Sequence, residues 1–232
     1  MKTRPARHAG FTLVEMAVVL LILTLLAGSL TVGLSSHLAR RAEAATDEAL
    51  SEARDALLGY VVRKGFFPCP AKSATDGAED RDAGNCRKTV GLLPWAALGI
   101  QGVDGWSHRL RYAVTDTYTR PISSMDDGKI EIMTRNIDGT ELKLTTEGGK
   151  TPVVILSHGP NGLGAIDQDG NALVAPTAGT DEAKNASGDG KLFFSRTLSE
   201  NSGTSGGAFD DRVTWLSPNL VAHRLITAGR LP

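Results

Sequence analysis

From Met16 to Leu34 the chain carries no charged side chain, and directly after it the pattern turns amphipathic without a breaker. Leu34, Leu38, Ala42, Ala45, Ala49, Ala53, Ala56, Leu57, Tyr60 and Val61 recur at three- and four-residue steps, while Arg40, Arg41, Glu43, Asp47, Glu48, Glu52 and Arg54 fill the other face. The spacing predicts one long helix from about Phe11 to Arg63, stopped by Gly65 and Pro68. The uncharged part, nineteen residues at about 1.5 Å rise, reaches roughly 28 Å, the thickness of a bilayer's hydrocarbon core. Its second half, rich in alanine on one side, suits a helix packed against a sheet.

Beyond Gly65 the pattern shortens. Phe66-Phe67-Pro68-Cys69-Pro70 opens an irregular stretch to Cys86, and Gly91 to Trp95 reads as a loop or short helix with Trp95 in the core. Leu110, Tyr112 and Val114 alternate with Arg109, Arg111 and Thr115, as in a half-buried strand. Ile130 to Met133, Leu142 to Leu144, Val153 to Leu156, Leu192 to Phe194 and Val213 to Leu216 are further strands, divided by Gly- and Asp-rich turns that predict an antiparallel sheet. Ser217 as cap and Pro218 at the first helical position start a closing helix through Leu220, Val221, Leu225 and Ile226, ended by Gly229. The class is α+β: a long N-terminal helix on an antiparallel sheet head.

Lys2, Arg4 and Arg7 ahead of the apolar stretch put the N-terminus on the cytoplasmic side and the remainder across the membrane; His37, Arg40 and Arg41 weaken that bias without reversing it. The formal charge is −1; without Lys2, Arg4 and Arg7 the basic residues fall from 25 to 22 against 26 acidic ones, and the charge becomes −4. An acidic head leaves no electrostatic footprint for nucleic acid.

Glu15 stands at the edge of the apolar stretch, where a carboxylate costs about 2–3 kcal/mol and calls for a partner that no Lys or Arg within the segment supplies. The basic leader ending in Gly10, then Phe11-Thr12-Leu13-Val14-Glu15, then some twenty apolar residues, resembles the signal of type IV pilins and type II secretion pseudopilins. The resemblance implies a pilin-like fold and a prepilin peptidase that cuts between Gly10 and Phe11 and methylates the new amine of Phe11. It implies a partner for Glu15, the Phe11 amine of a neighbouring subunit in the filament core. It implies other pilin or pseudopilin subunits and an inner-membrane assembly platform as partners. The proline that many members carry within this helix is absent. Residues 1–10 are then the leader, 11–34 the membrane and filament-core helix, 35–64 its amphipathic continuation, and 65–232 the periplasmic head. An ordinary secretory signal cleaved near Ala27-Gly28-Ser29 leaves Gly10 and Glu15 without a role, and so does a simple anchor.

Cys69 and Cys86 both fall beyond the membrane, where an oxidising periplasm joins them; a loop of that length contributes about 3 kcal/mol in the chain-entropy picture. Two cysteines with His108, His158 and His223 scattered do not make a zinc site.

A second resemblance lies in the head. Asp104-Gly105-Trp106 followed by Tyr112, then Leu156-Ser157-His158-Gly159-Pro160-Asn161-Gly162, then Asp210-Asp211 ahead of Trp215, is similar in order to the major pseudopilin, where a loop and later acidic residues enclose calcium. Gly105, Ser107 and His158 depart from the expected Pro, Gly and Leu. Asn161, Asp167, Asp169, Asp210 and Asp211 offer the hard oxygens that calcium takes in groups of six to eight. The run Asp167-Gln168-Asp169-Gly170-Asn171 starts like an EF-hand loop, but Ala172 and Ala178 occupy its Gly and Glu places.

Enzymatic motifs are missing: there is no Gly-x-Ser-x-Gly, no His-Glu-x-x-His, no phosphate loop and no dinucleotide fingerprint. Ser157 and His158, adjacent on a strand, point to opposite faces and do not form a nucleophile and base. The expectation is a minor pilin or pseudopilin acting by assembly, not an enzyme, held in the inner membrane with its head in the periplasm before joining a filament. A membrane-anchored periplasmic ligand-binding module is the alternative.

Overall fold

The computed structural model describes residues 10–124, 128–145 and 150–231, and within the first helix the side chains of all but residues 27–35. Apart from Gly10, the predicted leader lies outside the described residues. The contacts divide the chain into two units, Met1–Arg41 and Ala42–Pro232. The first helix, α1 (Leu13–Lys64), begins in one and ends in the other.

In the first unit α1 starts on a reciprocal cap. Thr12 N–H donates to Glu15 Oε2 at 3.0 Å and Glu15 N–H donates to Thr12 Oγ1 at 3.2 Å, the Thr-x-x-Glu capping box. Leu13, Val14, Leu20, Leu21 and Leu25 are exposed. Among the described residues no helix is long and apolar enough to cross a membrane. The stretch expected to span one, Met16–Leu34, includes residues whose side chains lie outside the described set.

The second unit is built in layers. The remainder of α1 turns Leu50, Ala53, Leu57 and Val61 onto one face of a sheet, at the three- and four-residue steps that the sequence spells out. Gly65, at φ +81°, ends the helix by donating to Val61 O at 2.7 Å. The chain then forms β1 (Arg81–Asp82) and β2 (Asn85–Cys86), a minute hairpin turned by Ala83 and Gly84 at positive φ, inside the Cys69–Cys86 disulfide.

Next come β3 (Val90–Leu92), α2 (Trp95–Leu98), β4 (Arg111–Val114), a 3-10 turn at Asp116–Thr119, β5 (Glu131–Arg135), β6 (Glu141–Lys143) and β7 (Val153–Ser157). They are followed by α3 (Asp181–Asn185), β8 (Leu192–Phe194), β9 (Arg212–Leu216) and α4 (Pro218–Thr227). The main sheet runs β3-β4-β7-β9, antiparallel throughout. Its β7 is buried along its whole length because both faces are covered. Val153 and Ile155 meet α1 and α4 together with Tyr112, Val114 and Leu216. Val154 and Leu156 meet Ile132 and Phe193 of a second sheet, ordered β6-β5-β8.

Two expectations are corrected here. The second sheet is mixed: β5 and β8 run parallel, which the turn-rich sequence conceals because β6, β7 and α3 intervene between them. Trp95 is not a core residue. Half-buried, it lies against Gly77 and Gly102, where a Cβ would fall 2.3 and 2.5 Å from its side-chain atoms, with the Arg109 guanidinium 3.8 Å from its ring centroid.

The turn at Asp104-Gly105-Trp106 docks on α1. Gly105 N–H donates to Thr46 Oγ1 at 3.0 Å, and a Cβ on Gly105 would lie 2.0 Å from Ala42 O, so the position admits only glycine. Two residues on, Ser107 adopts φ +66°, the left-handed backbone that a glycine would adopt without strain. The closing helix is as read: Ser217 caps Leu220 N, Pro218 opens it, and Val221 and Leu225 are buried.

Candidate functional site

Two places concentrate the residues singled out from sequence. The first is the N-terminus, where Gly10 and Phe11 are exposed and precede the helix. Glu15 Oε2 accepts from both the Thr12 amide and the Thr12 hydroxyl. Apolar side chains exposed all round a helix are unsatisfied in water, and they require lipid or other protein around them.

The second is a largely buried polar cluster at one end of the main sheet, assembled by three separate segments, with Asn161 exposed at its rim. The loop after β7 brings His158 and Asn161, α3 brings Glu182 and Asn185, and the approach to β9 brings Asp210 and Asp211. The fit is tight: Gly159, at φ +61°, has no room for a Cβ, which would lie 2.5 Å from both Asp210 O and Oδ1. Glu182 Oε1 accepts from Asn161 Nδ2 at 3.0 Å and from Asp210 N at 2.9 Å. Asp210 Oδ2 accepts from Asn161 N at 2.9 Å, and Asp211 Oδ2 accepts from Asn185 Nδ2 at 2.8 Å. Asn185 also exchanges hydrogen bonds with the backbone of Phe194 and so ties α3 to β8.

One carboxylate oxygen each of Glu182, Asp210 and Asp211 lies within 4.8 Å of the other two. Crowding and burial have the expected electrostatic result. Burial pushes Asp210 up to about 7 against the opposing hydrogen bond from Asn161, and the charges of Glu182 and Asp211 add to the rise. Burial likewise raises Glu182. Asp210 Oδ1 and Asp211 Oδ1 are buried without a hydrogen-bond partner, as are both ring nitrogens of His158, whose Nδ1 is 3.4 Å from Asp211 Oδ1.

Of the five residues expected to hold calcium, the structure brings together Asn161, Asp210 and Asp211. Asp167 and Asp169 are not in the cluster. Asp167 is consumed by its own turn: its Oδ1 accepts from Asp169 N and Asn171 N, and its Oδ2 from Asn171 Nδ2. Glu182 takes their place, and sequence reasoning missed it. The available signal was Thr180 ahead of Asp181-Glu182, a cap followed by an acidic first turn.

Ser157 and His158 diverge as neighbours on a strand must. Ser157 Oγ donates to Asp104 Oδ2 at 2.5 Å, while His158 faces Asp211. Asp104 Oδ1 also accepts from Trp106 N and His108 N, and its Oδ2 is 3.6 Å from His108 Nδ1. The acid thus stands between the serine and this histidine. An imidazole so placed has no contact with the serine proton, and the group serves to pin the Gly105 turn to the end of β7.

Residues 5–31 match the family described as the prokaryotic N-terminal methylation motif, the signal of type IV pilins and pseudopilins. That signal marks prepilin peptidase substrates that assemble with other pilin subunits, a structural rather than a catalytic class. No curated protein and no solved structure matches the chain.

Proposed function

We propose that the protein is a minor pilin or pseudopilin, a structural subunit of a type IV pilus or a type II secretion pseudopilus. The observation that carries this reading is the methylation motif over residues 5–31, with Gly10 and Phe11 exposed immediately ahead of α1. A prepilin peptidase cuts after Gly10 and methylates Phe11. Until assembly the apolar part of α1 holds the subunit in the inner membrane, with the head in the periplasm. In the filament, neighbouring helices replace lipid around Leu20, Leu21 and Leu25, and Glu15 meets the Phe11 amine of an adjacent subunit. The test is intact mass and N-terminal sequencing of the chain co-expressed with a prepilin peptidase. A chain beginning at N-methylated Phe11 is expected; one that retains Met1 points instead to an anchored binding module.

A second reading concerns the head, and rests on three carboxylates gathered with buried, unpartnered oxygens among them. The donors are hard and anionic, which fits calcium. Asn161, Glu182, Asp210 and Asp211 would hold it, and the ion would supply the positive charge that the crowded acids lack. Melting of the full-length protein in detergent is expected to shift upward with calcium relative to chelator; no shift would remove the site.

A further inference from the structure

The main sheet ends on β9, and its register fixes which backbone groups that edge offers. Thr115 N–H donates to Pro152 O, so the even-numbered residues of β7 bond to β4, and Val153, Ile155 and Ser157 bond to β9. Their partners there are Leu216, Thr214 and Arg212. The N–H and C=O of Val213 and Trp215 therefore point away from the sheet, and among the described residues no strand follows beyond them. The edges of β3 and β8 are covered instead: Ala71 N–H donates to the outward carbonyl of Leu92, and Asn185 exchanges hydrogen bonds with Phe194.

The layers on either side leave a slot at this edge. A cavity of about 410 Å³ is lined by Ser51 and Arg54 of α1, by Ser195 and Leu198 after β8, and by β9 from Arg212 to Thr214. Two guanidiniums of the lining are spent, Arg196 on Asp181 at 2.8 Å and Arg212 on Asp47 at 2.9 Å. Asp210 and Asp211 also reach the cavity and, preceding Arg212, lie at the Asp47 end. Arg54 stands about 10 Å further along α1. Its Nε is buried without a hydrogen-bond partner, and among the described residues no acid pairs with it. We propose that this slot receives an extended segment of another protein, added to the main sheet as a further strand beside β9, with a carboxylate seated on Arg54. Such a strand satisfies the outward groups of Val213 and Trp215 together, which supplies affinity for extended backbone of many sequences. The charged pair with Arg54 then selects an acid at one position.

Calorimetric titration of the full-length protein in detergent tests this, with chelator present so that no cation occupies Asp210 and Asp211. The probe is a short blocked peptide that alternates threonine with valine and carries one glutamate in a valine place. Binding is expected, and no heat beyond dilution overturns the proposal. The same peptide with glutamine for glutamate should bind about tenfold more weakly, and Arg54→Gln should abolish that difference. An undiminished difference in the variant would take the carboxylate off Arg54 and overturn the assignment. Val213→Pro removes an outward N–H and spares the ladder to β7, as proline does on edge strands. It should lose most of the binding, and parental affinity would overturn strand addition. Should Val213→Pro misfold by circular dichroism, N-methylation of the peptide's own nitrogens takes its place, with the same two outcomes. Sedimentation of the parent in the same detergent should show no self-association through this edge. Self-association that Val213→Pro abolishes would give the slot to a second copy of this chain and overturn the separate partner.

Discussion

The two halves of α1 share one regular backbone and have opposite surroundings. Between Leu13 and Leu26 apolar side chains face outward on every side, whereas Leu50, Ala53, Leu57 and Val61 each occupy a slot in the core of the head. Helical pattern is therefore not the same as tertiary commitment. The latter half is stabilised by its own chain. The former gains its stabilisation from whatever medium encloses it, and in a filament subunit that medium changes from lipid to neighbouring helices.

Substitutions should separate the two halves cleanly. Leu57→Ala, at a fully buried position, should cost the head about 2–5 kcal/mol, while Leu21→Ala should leave head stability unchanged; denaturant unfolding followed by tryptophan emission measures both. Equal losses would mean that the halves unfold as one. Cys86→Ser opens the loop closed by the Cys69–Cys86 bond and should lower head stability by about 3 kcal/mol, with insertion of the apolar half unaffected. Parent protein melting alike under oxidising and reducing conditions would contradict this. The smallest effect is a pH dependence confined to the head. Asp104 raises the pKa of His108 from its ordinary 6.5 despite opposing burial, with Asp167 adding to the rise. That stabilisation is complete below the unfolded value and is lost as pH climbs through the folded one. Asp104 is held below its ordinary 3.8 by hydrogen bonds from His108 and Ser157 that outweigh burial, so its share is present above that value and lost as pH falls through the folded one. Asp210, which burial pushes up to about 7, loses stabilisation in the same direction, so melting temperature should decline from pH 6 to pH 8, and His108→Gln should lessen the slope without removing it.

Much of this was legible in the residues. The three- and four-residue steps from Leu50 to Val61, the unbroken apolar run of β7 and the Ser217-Pro218 start of α4 each state their structure directly. The pairing of β5 with β8 was not legible, because parallel neighbours are joined through other elements and leave no turn between them. The cluster was half legible. Asp210 and Asp211 adjoin each other, but Glu182 lies in a five-residue helix too short to show a period, and its side chain matters through neighbours 21 and 28 positions away. Asp167 and Asp169 misled for the converse reason: a turn that satisfies its own carboxylate looks, in one dimension, like a loop waiting for an ion.

The cap at the start of α1 has a consequence for the cut proposed after Gly10. Its bonds join Thr12, Glu15 and Met16, and neither Gly10 nor Phe11 contributes to them. The Gly10–Phe11 peptide lies just outside the wound part of the chain. Under the proposed function, a cut between Gly10 and Phe11 would leave each bond of this cap in place, and the subunit would keep its helix end folded.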